Sequence, residues 1–149
     1  MDTDAAALIA DIGAALGAAE IYQLEDHAWL VVFDDELAVS VERHVERDVL
    51  VLGTDLGLPV AGQELVAYKM LLEANAAWRE TGGLRMGLDP LDDAVLLFQD
   101  VRLGELEPEA AREALEGFVG AARNGREYLA ALGIDAAPLP EIHLGLMRA

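Results

Sequence analysis

The sequence predicts an α+β fold: one helix, a three-stranded antiparallel meander, a second helix, two further strands and a C-terminal helix. Three observations carry this reading. Apolar residues recur at helical spacing near both ends of the chain and over residues 64–80. Between residues 21 and 58, and again from 84 to 101, the period shortens to that of extended chain. Gly-Gly, Asp-Pro and acidic runs punctuate these segments. A chain of 149 residues can bury one compact core and is too short for two ordinary domains. We place a single domain at residues 1–133 and a tail at 134–149.

Asp2, Thr3 or Asp4 can cap a first helix running to about Gly17, with Leu8, Ile9, Ile12 and Leu16 as its apolar stripe. Gly13 and Gly17 are read as packing glycines. HAWLVVF, LAVSVE and DVLVLGTDL then form the meander, separated by Asp34-Asp35-Glu36 and by the charged His44–Asp48 segment. In LAVSVE, Leu37, Val39 and Val41 alternate with Ala38, Ser40 and Glu42, so that strand has one wet face. Trp29 to Phe33 are apolar on both faces and need cover on each.

Leu58 to Gly62 connects to the second helix, which Gly82-Gly83 ends by supplying left-handed backbone. Leu84, Met86 and Leu88 then alternate with Arg85 and Gly87. After the Asp89–Asp93 turn, Val95 to Val101 begins apolar enough on both faces to be an interior strand. Glu107-Pro108 opens the last helix at a position where a missing N–H costs nothing. Leu115, Phe118, Val119, Ala122, Leu129 and Leu132 hold core spacing along it, and Asn124-Gly125 is its weak point. The tail, with Pro138 and Pro140, reads as loosely ordered.

The second helix is the anomaly. At 100° per residue, Val66, Ala67, Met70, Leu71, Ala74, Ala77 and Trp78 share one broad apolar arc. Leu65, Leu72 and Ala76 form a second, narrower strip, walled by Lys69, Glu73 and Glu80 on one side and by Tyr68, Asn75 and Arg79 on the other. One face can cover the chain's own sheet; the other calls for a second copy of the protein.

The run LLEANAAWRETGG, followed by LRMGLDP, a strand ending in FQDVRL and LEPEAAREALEGFVGAA, resembles the class I chaperones of bacterial type III secretion, of the Tir-chaperone (CesT-like) type. The shared pattern is an apolar helix with an LL-x-x-N run, a small-residue turn, a strand into an Asp-Pro turn, a second strand, and a final helix opened by Pro-Glu. With the upstream helix and strands it covers roughly residues 4 to 132. The resemblance implies a homodimer that holds the non-globular N-terminal segment of a secreted effector in extended form for export.

Composition is compatible with that expectation. A formal charge of −18 argues against nucleic acid and anionic membrane surfaces, and leaves a basic partner as the better fit. The chain has no Cys, which removes disulfides and thiolate chemistry and accords with a reducing cytosol. The N-terminal stretch is acidic where a secretory signal is basic, and no run of about 18 apolar residues is present to span a bilayer. We therefore expect a cytoplasmic bacterial protein without membrane insertion.

Catalytic and cofactor signals are weak. His27, His44 and His143 lack metal-ligand spacing, and the acidic turns match neither a calcium loop nor a glycosidase pair. Ser40 sits in a strand rather than at a nucleophile elbow. Lys69, beside Tyr68, reads as a rim residue with a wet charge. We expect no cofactor and no enzyme. From the surplus apolar surface and the family layout, we place Leu65, Tyr68, Leu72, Ala76, Met86 and Leu88 at the self-interface. Ile12, Leu16, Trp29, Val31 and Val39 are placed at the effector-binding surface, with Trp29→Ala expected to weaken capture without unfolding. The competing readings are a small-ligand-binding or regulatory α/β domain without catalysis, and a divergent carboxylate enzyme.

Overall fold

A computed structural model describes residues 5–103 and 107–132. The capping residues 2–4 and the tail, with Leu144, Leu146, Met147 and His143, lie outside them. Three helices, α1 (Ala5–Ala15), α2 (Glu64–Ala76) and α3 (Pro108–Ala131), accompany six strands. The strands are β1 (Glu20–Glu25), β2 (Ala28–Val32), β3 (Ala38–His44), β4 (Val49–Gly57), β5 (Arg85–Leu88) and β6 (Val95–Arg102). Their order in the sheet is β1-β2-β3-β4-β6-β5. The meander therefore has four strands, not three. The additional one, EIYQLE, is polar enough to pass for a linker, yet it pairs antiparallel with β2 from Glu20↔Val32 to Gln23↔Trp29 and, after a shift of register, at Glu25↔Ala28.

The chain forms two compact units. One takes in the chain to Thr54 together with Asp100–Ala121; the other takes in Asp55–Gln99 together with the chain from Ala122.

In the first unit, register puts Val31 opposite Val39 and Trp29 opposite Val41, with Leu52 beyond. These residues share one sheet face and are buried with Ile9 and Ile12 of α1 and Leu115 and Phe118 of α3. Ser40 lies on the opposite face and donates to the Gly53 carbonyl at 3.1 Å. Thr54, 7% exposed, is buried among apolar residues, and its hydroxyl donates to the Ala38 carbonyl at 2.7 Å.

The two glycines of α1 have different roles. Gly17 has φ +77°, and the Ala18 amide donates to the Gly13 carbonyl across it, a left-handed helix stop. Gly13 is the packing glycine: a Cβ there would lie 2.5 Å from Ile21 Cδ1. Gly13→Val is expected to destabilise the chain by about 1–3 kcal/mol through overpacking, read as a lower melting temperature. An unchanged melt would show that α1 shifts freely over β1.

In the second unit, Ala67, Met70, Leu71, Ala74 and Ala77 are buried, as the broad arc predicts, and Val66 is half-buried. Trp78 is 54% exposed, contrary to its place on that arc. The α-helix stops at Ala76 and the chain turns through to Gly82 and Gly83, both at positive φ, so the 100° spacing no longer applies to residue 78. The Arg79 guanidinium lies over the indole, 5.1 Å from its centroid. α3 runs unbroken through Asn124-Gly125. A Cβ at Gly125 would lie 2.9 Å from Leu56 Cδ1, so this glycine admits close packing instead of breaking the helix.

Candidate functional site

The first candidate surface is on α2. Leu65, Tyr68, Leu72 and Ala76 fall at spacings of three and four residues, so they line one stripe roughly opposite the buried Ala67–Leu71–Ala74 arc. Leu65 is 81% and Leu72 70% exposed; Ala76 is exposed and Tyr68 half-buried. Lys69 and Glu73 pair at 3.6 Å along its edge. On β5, Leu88 is exposed and Met86 half-buried. Asn75 joins the two elements: its Nδ2 donates to the Met86 carbonyl at 2.9 Å, and its Oδ1 accepts from the Met86 N–H at 2.8 Å. All six residues placed at the self-interface thus fall in the second unit, and none is in the core.

The five residues placed at the effector-binding surface fall in the first unit, and four of them are core. Ile12 is 6%, Trp29 4%, Val31 0% and Val39 0% exposed; Leu16 is half-buried. Strand alternation shows that this face is apolar, but the residues packed on it belong to the chain itself. Ile9, Ile12, Ala111 and Leu115 line, with Val41, Leu50, Leu52 and Val101, a cavity of about 20 Å³. That is the size of roughly one water molecule, and its lining is apolar.

The opposite face is the open one. Tyr22, Leu30, Ser40 and Gly53 form one row across β1 to β4, and Glu20, Val32 and Ala38 form the next. Tyr22 is 47% exposed and Leu24 60%, while Leu30, Val32 and Ala38 are half-buried. The Tyr22 hydroxyl donates to the Glu20 carboxylate, which holds the phenol above its usual pKa. Sequence reasoning missed Tyr22 and Leu24 because EIYQLE was not read as a strand. The register shifts between Gln23 and Glu25, so no clean period of two runs through this strand.

The Asp89–Asp93 turn is held by its own carboxylates. Asp89 Oδ1 accepts from the Leu91 N–H and Asp92 Oδ1 from the Ala94 N–H, both at 2.9 Å, while Asp93 takes φ 61°. Burial and then the Glu73 carboxylate raise the Tyr128 phenol above its ordinary pKa. Among the described residues no three His, Asp or Glu side chains gather as a metal site requires, and no helix is long and apolar enough to cross a membrane.

Comparison with known proteins gives the following. The family model described as "Tir chaperone protein (CesT) family" matches residues 7–126. No curated protein sequence matches the chain. Among solved structures, the chain resembles one in the ExsC-ExsE complex, with 22% identity over 87% of this chain and 97% of that one, and a TM-score of 0.69. It resembles one in the HopA1-SchA chaperone-effector complex, with 18% identity over 83% and 93% and a TM-score of 0.62. It also resembles one in the heterodimeric ExoU-SpcU complex of the Pseudomonas aeruginosa type III secretion system, with 19% identity over 82% and 94% and a TM-score of 0.58. At these identities the likeness concerns the fold.

Proposed function

The chain belongs to the Tir chaperone (CesT) family, and from that premise we propose that it is a cytoplasmic type III secretion chaperone: a homodimer that binds the N-terminal segment of an effector and keeps it extended and competent for export. The observation that carries the reading is a molecule with apolar surface left over in both units, on α2 and on the outer face of the meander. Burying a leucine stabilises association by about 1.5–3 kcal/mol, so Leu65 and Leu72 from two copies supply roughly 6–12 kcal/mol. That is comparable with the roughly 4–15 kcal/mol lost in rotational and translational freedom, so the strip can hold a dimer with help from Tyr68, Ala76, Met86 and Leu88.

The effector segment is assigned to the outer meander face, around Tyr22, Leu30 and Val32 with the exposed Leu24 beside them in β1, and no longer to the buried Ile12, Trp29, Val31 and Val39. Such binding needs no chemical step: a chain that would otherwise aggregate is held by mass action, offsetting its ordering entropy with buried apolar area. The absence of catalysis is part of this proposal. The cavity in the first unit, with room for about one water and no polar lining, is too small to hold a metabolite.

The test is co-purification of the full chain with an exported protein encoded beside it. Capture should vanish when that protein's N-terminal region is deleted, and capture that survives the deletion would sink the reading. Leu24→Asp should reduce capture about tenfold or more. Its circular dichroism should stay native, because an exposed substitution costs within about 0.5 kcal/mol. Undiminished capture removes Leu24 from the client surface.

A further inference from the structure

Four of the six residues placed at the self-interface are on α2, and two, Met86 and Leu88, are on β5. A surface shared between two elements presents one shape to a partner only if the elements hold one relative position, and their connection does not by itself impose it. The connection passes through Gly82 and Gly83, at φ +73° and +88°. β5 is only four residues long and is paired on one side, with β6. Edge strands this short open at little cost.

Asn75 supplies the missing constraint. It lies three residues beyond Leu72, so the two are neighbours on the helix surface. Its Nδ2 donates to the Met86 carbonyl at 2.9 Å, and its Oδ1 accepts from the Met86 N–H at 2.8 Å. Both bonds go to one residue, so β5 cannot slide along α2 without losing both. A slip of one residue would also exchange the faces of the strand, bringing Arg85 and Gly87 to where Met86 and Leu88 stand. The planar amide suits this task because it holds a donor and an acceptor side by side, whereas a carboxylate only accepts and an ammonium only donates.

We propose that Asn75 is a positioning residue of the self-interface: it locks Met86 and Leu88 of β5 in register with the apolar strip on α2, so that the second copy of the chain meets a single preformed surface. This rests on the homodimer reading above and adds the residue that joins the two halves of the surface. Such preorganisation raises affinity by taking the ordering cost out of association.

The test is the dissociation constant of the full chain, by light scattering over a concentration series, for the unsubstituted protein, Asn75→Asp and Asn75→Ala, at about pH 8 and about pH 5. At the higher pH the introduced carboxylate accepts from the Met86 N–H but faces the carbonyl oxygen. The dissociation constant should rise at least about tenfold, since a twofold dimer carries the change twice. That carbonyl, with the half-burial of the site, raises the pKa of the introduced carboxyl. Once protonated, it donates to the carbonyl and accepts from the N–H as the amide does. The ratio of its dissociation constant to that of the unsubstituted protein should therefore fall toward unity at the lower pH, while the ratio for Asn75→Ala stays high. Glu64, Tyr68, Lys69 and Glu73 of α2 and Arg85 of β5 are present in all three chains, so taking the ratio at each pH removes their own titration. Asn75→Ser, too short to bridge both groups, takes the place of the alanine variant if that does not fold. A merely structural tether would lower the melting temperature of the variants and leave the dissociation constant unchanged wherever circular dichroism shows folded chain. That outcome, or Asn75→Asp without recovery at the lower pH, overturns the role of Asn75 and leaves the homodimer standing. An unsubstituted chain that is monomeric at every concentration overturns both, so the two readings fail distinguishably.

Discussion

Replacing Leu72 with glutamate is expected to leave a folded chain that no longer pairs with itself. Leu72 is 70% exposed on the face of α2 turned away from Met70, Leu71 and Ala74, so the substitution removes nothing from the core of its own unit. On stability alone it should cost no more than about 0.5 kcal/mol. In a twofold dimer the change is made twice. Two leucines leave the interface, each worth about 1.5–3 kcal/mol, and two carboxylates enter it, so association weakens by at least about 3 kcal/mol. That raises the dissociation constant by more than about a hundredfold. Light scattering across a micromolar concentration series should show a dimer become a monomer, with circular dichroism unchanged. A soluble dimer with unaltered affinity would remove the α2 strip from the interface. A wild-type chain that is monomeric throughout would remove the homodimer.

The strip on α2 was legible in the sequence because helical spacing fixes which residues share a face, whatever the tertiary setting. The same rule failed at Trp78, two residues beyond the end of the helix, where the backbone had already turned. β1 was illegible for a different reason. EIYQLE carries two glutamates and a glutamine, but its pairing with β2 is made by backbone groups that are indifferent to side-chain polarity. Gly125 looked like a break because propensity counts only the helix it sits in, whereas its lack of a Cβ serves the approach of Leu56. The client residues illustrate the largest gap. Alternation in LAVSVE correctly separated Val39 and Val41 from Ser40 and Glu42, yet a period of two says only that a face is apolar. What covers that face is set by the packing of α1 and α3, which no local pattern reports.

The sharpest consequence concerns Trp29, where sequence and structure make opposite predictions. Read from the sequence, Trp29→Ala weakens client capture and leaves the fold intact. In the structure the indole is 4% exposed, opposite Val41 and on the same face as the fully buried Val31 and Val39. Truncating it empties a large volume that surrounding side chains refill only in part, at a cost of about 3–5 kcal/mol. Against the roughly 5–15 kcal/mol that holds a typical domain together, that is a large fraction of the total. The melting temperature should fall by roughly 10–20 °C, and the urea midpoint should move with it. Any loss of capture would then track the loss of folded protein and recover at temperatures where the variant is native. Leu24→Asp should do the reverse, lowering capture with an unchanged midpoint. If Trp29→Ala keeps its midpoint and still loses the client, the indole reaches the guest after all, and its placement in the core is wrong.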